Sequence, residues 1–380
     1  MKKFKEKTEV VQGMGSLKLL EELKGEKVCI VTDSTMLELK MVNKVTDIFK
    51  NIDVKYEIFS EVEPDPSFDI VYKGLRHIIK NKPTVLVAVG GGSAIDAAKA
   101  IMFFCLKMKE NLMGIEKIKK PHFIAIPTTS GTGSEVTSYS VISDKEKQKK
   151  FPIVDDLMVP DVAILDAEFT KSIPSGITAD TGIDVLTHCL EAYVAKEASD
   201  FTDGLVEKGV SIVFEYLLKA YENGGDLEAR EKMHNASCMA GIAFNNAGLG
   251  INHSLAHSLG SYFKIPHGRS NALLLPYVIE FNSKENPLIM SKYAHLAEKI
   301  GFPATTNEQG MKSLIKGINV LKEAMNIPQT ISEVGVKEKD FQCVLKEMSE
   351  IALEDICTGG NPKKVTSKEL EKIYQEAYRG

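Results

Sequence analysis

Asp184 and His188 stand four residues apart in TGIDVLTHCLEAYV, and His253, His257 and His267 follow in NHSLAHSLGSYFKIPHG. Residues four apart on a helix share a face, so Asp184 and His188 can reach one ion together, and His253 and His257 repeat that spacing. Imidazole nitrogens with a carboxylate are the ligand set of iron(II), zinc and their neighbours. Residue order does not decide which of the three clustered histidines bind. A set of Asp184, His188, His253 and His267 leaves His257 as a nearby polar group or proton relay. His77, His122, His234 and His295 have no such company and carry no metal role.

A second kind of chemistry is written upstream. Gly90, Gly91 and Gly92 follow a buried strand, and Ser93 opens a helix with Asp96 completing a Ser-x-x-Asp start. Without Cβ atoms such a turn lets the backbone approach a pyrophosphate, whose charge suits the free N–H groups of the helix end. GxGxxG is absent, so the ordinary dinucleotide fingerprint does not apply. The hydroxyl-rich PTTSGTGSEVTS (127–138) leaves another strand and suits phosphate, ribose or nicotinamide amide. Asp33 closes a strand where an acidic residue can bind the ribose hydroxyls and repel a 2′-phosphate, which favours NAD over NADP.

These groups must be positioned by two architectures. Up to about residue 170 strands alternate with helices: strands at 27–33, 54–60, 84–90, 122–127 and 162–166, helical stretches over 36–51 and 69–80, and a helix from Ser93. That alternation predicts a parallel sheet covered on both faces. After Pro174 the apolar spacing becomes helical throughout, and Thr366 with Glu369 forms a capping box for a last helix. The expected fold is an α/β dinucleotide-binding domain over 1–174 and an all-helical metal-binding domain over 175–380, with the site between them. The 380 residues carry 43% hydrophobic side chains and a formal charge of −5, which argues against nucleic acid or an anionic membrane as partner. Six scattered cysteines without a CxxC pair fit a reducing compartment, and Cys189 is expected in the core. The N-terminal segment lacks the apolar core of a signal peptide, so the expected location is cytoplasmic.

Taken together, VTD (31–33), EPDP (63–66), GGGSAIDAAKAI (90–101), PTTSGTGSEVTS, PDVAILD (160–166), TADTGIDVLTHCLEAYV (178–194), PHGRSNALLLP (266–276) and CTGGNPKKVT (357–366) resemble the iron-containing (group III) alcohol dehydrogenases. The likeness runs essentially end to end. ASDFTDGLVEK (198–208) and KMHNASCMAGIAF (232–244) look closest to the propanol and ethanol dehydrogenases of propanediol-utilisation type. The resemblance implies metal ligands at Asp184, His188, His253 and His267, with His257 as the catalytic histidine near the nicotinamide. It implies cofactor contacts at Asp33, Asp65, Gly91, Gly92, Ser93, Thr128, Thr129, Val141 and Lys150, to which the glycine turn adds Asp96. Asp65 stands where relatives often carry Asn.

The implied activity is reversible NAD(H)-linked hydride transfer between short-chain primary alcohols and aldehydes, such as propanol and propionaldehyde or ethanol and acetaldehyde, run toward reduction to regenerate NAD. Iron(II) is the implied metal, with zinc admitted by the same ligands. Homodimers or larger homo-oligomers, and association with a bacterial microcompartment shell, follow from the likeness. Two alternatives stand beside it: a lyase similar to dehydroquinate synthase and a zinc polyol oxidoreductase similar to glycerol dehydrogenase. The lyase calls for several Lys and Arg around a charged substrate, whereas Arg269 is the notable basic residue in the ligand segments.

Overall fold

The computed structural model describes residues 1–113, 120–144 and 149–380, the side chains of 109–113 and 149–150 excepted. The chain divides into two compact units, one of residues 6–171 and one of residues 172–380 with the first five.

In the first unit the β-branched runs become β1 (Glu9–Gln12), β2 (Lys27–Asp33), β3 (Lys55–Val62), β4 (Val85–Gly90) and β5 (His122–Pro127). Between them lie α1 (Ser34–Glu38), α2 (Met41–Asn51), α3 (Phe68–Asn81) and α4 (Gly92–Met113). β6 (Tyr139–Asp144) and β7 (Lys149–Val154) pair antiparallel, and β8 (Val162–Leu165) returns to the main sheet. Six strands make one parallel sheet in the order β1-β8-β5-β4-β2-β3. Alternate residues feed two cores. Cys29, Val31, Leu86, Ala88, Phe123 and Ala125 pack with α3 and α4 on one face. Val28, Ile30, Val87, Val89, Ile124 and Ile126 pack with α2 on the other.

That division has a geometric result. β2 feeds β3 on one side, and the chain then passes back to lay β4 on the other side of β2. The segments leaving β2 and β4 therefore diverge to opposite faces. Their carboxyl ends flank the switch point at which open α/β sheets bind ligands.

The expected strands appear within one or two residues of their places, but three elements escape the periodicity. β1 is a four-residue edge strand with little burial, and β6 and β7 form a two-stranded ribbon without a buried apolar run. The stretch 36–51, expected as one helix, breaks at Lys40, whose φ of 55° lies in the left-handed region. The loop after β5 is largely buried around a short 3₁₀ turn at Ser134–Val136.

The second unit is helical: α5 (Ser175–Val194), α6 (Asp200–Glu222), α7 (Leu227–Ala247), α8 (Ile251–Phe263), α9 (His267–Ser283), α10 (Pro287–Lys299), α11 (Asn307–Ala324), α12 (Glu338–Glu354) and α13 (Ser367–Arg379). The Thr366–Glu369 capping box opens α13 as expected. α5 is buried on every side from Gly182 to Val194, the mark of a central helix. Cys189 lies in that buried run, its Sγ close against Gly209. Among the described residues no helix is long and apolar enough to cross a membrane.

α8 begins at Gly250, which has no side chain to cap it. Its four orphan N–H groups are met from far along the chain. Glu191 accepts from Gly250, Asn252 and His253, and Asn361 Oδ1 accepts from Ile251. Asn361 is itself held by a reciprocal amide pair with Asn282, at 3.0 and 2.9 Å. Asn361→Ala leaves a buried amide and a helix end without partners. It is expected to cost about 1–3 kcal/mol, measured as a lower denaturant midpoint for the helical unit.

Candidate metal centre and nucleotide-binding loops

α5 presents Asp184 and His188 one turn apart, α8 presents His253, and α9 opens with His267. Asp184, His188 and His253 are buried, and their candidate ligand atoms lie within 4.8 Å of one another. His267 Nε2 comes to 3.5 Å of Asp184 Oδ1, and His253 Nε2 to 3.7 Å of the same oxygen. The rings of His188 and His253 stack at 4.5 Å between centroids. Asn271, one turn into α9, aims Nδ2 into the cluster: 2.7 Å from Asp184 Oδ1, 3.3 Å from His253 Nε2 and 3.2 Å from His267 Nε2. Asn252 donates to Asn271 Oδ1 at 2.9 Å and so sets which end of that amide faces inward.

The close approach of α5 and α9 depends on Gly268. A Cβ there would stand 2.1 Å from the Asp180 carbonyl oxygen. Arg269 adds an ion pair to the Asp180 carboxylate at 3.0 Å, so the one arginine of the ligand segments is spent on holding helices together.

Electrostatically the cluster is short of positive charge. Burial pushes the Asp184 carboxyl up to about 8, opposed by Asn271 and assisted by the charges of Asp180 and Glu191. Burial pushes Glu191 up to about 8 as well, against the backbone N–H groups it accepts. Burial holds His253 down at about 3, a neutral imidazole. Among the described residues no Lys or Arg pairs with Asp184 or Glu191. A divalent cation is the counter-charge such a set lacks. Ligand atoms 2.1 Å from a tetrahedral ion stand ~3.4 Å apart, close to the spacings around Asp184 Oδ1. The residues present fit a divalent metal.

His257 lies beside this cluster without joining its tightest triad. Its ring stacks on His267 at 5.3 Å, and Nδ1 meets Asp355 Oδ2 at 2.9 Å. Burial raises the Asp355 carboxyl, but His257 and the Cys357 N–H outweigh it and hold it at about 2. An ionised Asp355 can only accept there, so it takes a hydrogen bond from Nδ1–H and leaves Nε2 as the ring nitrogen without a proton.

In the first unit several of the residues expected to meet the cofactor lie at strand ends. Asp33 ends β2 and accepts the Met36 N–H at 3.0 Å as the cap of α1. Gly91 and Gly92 pack on Thr129 and Thr132, where added Cβ atoms would meet the threonine side chains at 3.3 and 2.7 Å. Gly90 has φ 156° and would bring a Cβ to 2.5 Å of Ala94. Thr128 N–H bonds the Gly90 carbonyl at 3.0 Å, which ties the two loops together. Ser93 lies in the first turn of α4, and Asp65 sits in the left-handed region at φ 52°. Asp96 does other work than the Ser-x-x-Asp start suggests: its carboxylate accepts Ser134 Oγ–H at 2.6 Å and Val141 N–H at 2.9 Å. Lys150 pairs with Ser143 in the β6–β7 ribbon, and its side chain lies outside the described residues.

Several partners are invisible to spacing arguments. Glu191 was within reach of them, three residues after His188 on the same helix. Asn252, Asn271, Asp355 and Asn361 carry no local signal. Neither do fully buried Lys99, which donates to Ser134, Thr137 and the Tyr139 carbonyl, and buried Glu135. Burial draws Lys99 down to about 8 and Glu135 up to about 7.

Comparison with known proteins agrees along the whole chain. Residues 7–167 match the model of the iron-containing alcohol dehydrogenases, and residues 178–378 match that of the C-terminal region of the Fe-containing alcohol dehydrogenase family. The chain is 42% identical over 388 residues to an NADPH-dependent butanol dehydrogenase of Clostridium saccharobutylicum, covering 100% of this chain and 99% of the relative. It is 41% identical over 378 residues to a 1-propanol dehydrogenase of Salmonella typhimurium, covering 99% and 100%. A solved iron-containing alcohol dehydrogenase of Thermococcus thioreducens superimposes with a TM-score of 0.91 at 35% identity, covering 100% of both chains.

Gly268→Ala is expected to drive α9 from α5 and separate His267 from Asp184. Bound metal at a fixed chelator concentration should fall about tenfold or more, measured by elemental analysis of the dialysed protein.

Proposed function

This chain belongs to the iron-containing alcohol dehydrogenase family and interconverts alcohols and aldehydes with a metal and a nicotinamide cofactor, and on that premise we propose an iron(II), NAD-linked reductase of short aldehydes such as propionaldehyde and acetaldehyde. The observation that carries this reading is the convergence of Asp184, His188, His253 and His267 in a setting where, among the described residues, no Lys or Arg pairs with the buried Asp184 and Glu191 carboxyls. Those four residues hold the ion. Asp33, Gly91, Gly92, Ser93, Thr128 and Thr129 hold the dinucleotide, joined by Asp65 and Lys150. Asp96 and Val141 serve it by bonding to each other and fixing the loop between them.

When bound, the ion supplies Lewis-acid polarisation of the substrate oxygen and the reduced nicotinamide supplies the hydride. The glycine turn and the N-terminus of α4 receive pyrophosphate charge. His257, its Nδ1–H engaged by Asp355, moves the proton at Nε2, toward the product oxygen in reduction and away from the alcohol in oxidation.

Iron rather than zinc rests on the family match, and NAD rather than NADP rests on the Asp33 carboxylate at the end of β2. A homodimer or larger homo-oligomer rests on the family likeness, a cytoplasmic location on the scattered free cysteines, and association with a microcompartment shell on the likeness of 198–208 and 232–244 to propanediol-utilisation enzymes. An anaerobic panel of aldehydes with metal analysis tests the whole reading.

Metal-stripped protein should regain turnover with ferrous ion, and His267→Ala should lose both metal and turnover. Full activity in a zinc-only preparation rejects iron. Asp33→Ser keeps an oxygen to cap α1 but removes the charge. The ratio of kcat/KM for NADPH to that for NADH should rise about tenfold, the effect of removing about 1.4 kcal/mol of repulsion. An unchanged ratio removes Asp33 from cofactor selection.

A further inference from the structure

Glu191 is buried on α5, and its two oxygens do separate things. Oε1 accepts the Asn252 N–H at 2.6 Å at the start of α8. Oε2 meets Nδ1 of His253 at 2.5 Å. Gly250 leaves the space this needs, since a Cβ there would stand 2.9 Å from Oε1. The far side of the His253 ring, Nε2, faces Asp184 and Asn271.

We propose that Glu191 is the positioning residue of the metal centre: one carboxylate anchors α8 by its N-terminal amides and holds the His253 proton on Nδ1, which keeps the Nε2 lone pair turned toward Asp184. This rests on the reading of His253 as a ligand. Two acceptor oxygens are essential, because both partners of the carboxylate are donors. Backbone N–H groups can only donate, and an imidazole that binds a metal through Nε2 must carry its proton on Nδ1.

A glutamine at this place makes the requirement visible. Its single oxygen is claimed by the Asn252 N–H, so its NH₂ faces Nδ1. That contact is satisfied only if Nδ1 accepts, which moves the ring proton to Nε2 and covers the atom needed for coordination. The helix stays capped while the ligand is switched to the wrong tautomer.

Three variants separate the possibilities: Glu191→Gln, Glu191→Ala and His253→Gln. Each is measured for ferrous-ion affinity by anaerobic chelator competition and for unfolding temperature of the metal-free protein. The metal-free wild type and Glu191→Gln are also measured for ¹⁵N shifts of the histidine rings, at a pH above the value of about 8 to which burial lifts Glu191, with His253→Gln identifying the resonance. Glu191→Gln should hold the metal-free unfolding temperature near wild type, lower ferrous-ion affinity by about 10–100-fold and show His253 protonated at Nε2. Glu191→Ala should lose both affinity and thermal stability. Wild-type affinity or an unmoved proton in Glu191→Gln, with affinity lost in His253→Gln, overturns the role of Glu191 alone. Wild-type affinity in His253→Gln overturns the ligand reading and this proposal with it.

Discussion

Everything in the helical unit turns on a helix that cannot cap itself. α8 carries His253 and His257, yet it starts at a glycine, and its first N–H groups are claimed by a carboxylate and an amide from distant parts of the chain. A helix end has a partial positive charge and unmet donors, so a buried carboxylate there is favourable on both counts. The same carboxylate touches His253. Helix placement and ring orientation are thus one interaction, and α9, held to α5 at Gly268 and Arg269, completes the cluster from the other side.

The first unit solves a different problem, that of holding a polar loop still. Residues 127–138 are rich in hydroxyls, and a loop of that composition normally lies in solvent. Here it is largely buried, fastened by Asp96 through Ser134 and Val141 and by Lys99 through Ser134, Thr137 and Tyr139. A buried ammonium is costly unless its donors are met, and three oxygens within 3.1 Å meet them. The GGGS turn then packs on threonines of a loop already in place. Both halves use the same device: a charged group inside the protein whose hydrogen bonds leave one backbone arrangement.

Much of this was legible in the residues. The alternation of strand and helix is strong wherever strands are buried on both faces, as in TVLVAVG and HFIAIP, and the spacing of Asp184 with His188 is a helix-face signal. β1, β6 and β7 were hidden because backbone pairing, and not a buried apolar run, makes them strands. The break at Lys40 was hidden because left-handed backbone at a lysine has no composition signal. The partners Asn271, Asp355 and Asn361 were hidden for a deeper reason: each acts across 87 to 110 positions of chain, on Asp184, His257 and Ile251, and local periodicity contains no information about such pairs. Asp96 was found for its place in the helix start, yet its bonds run to the loop after β5.

The capping of α8 by residues 191 and 361 also orders events in time. During synthesis α5 emerges first, then α8, but the amide that meets Ile251 and the carboxylate that holds His257 come 110 and 98 residues later. Long loops must close before those contacts repay their entropy. A nascent chain on the ribosome therefore owns its candidate ligands well before it owns the scaffold that aims them. The seat of α8 is in consequence completed only once the segment after α12 has been added, and its helix end stays partly unmet until then.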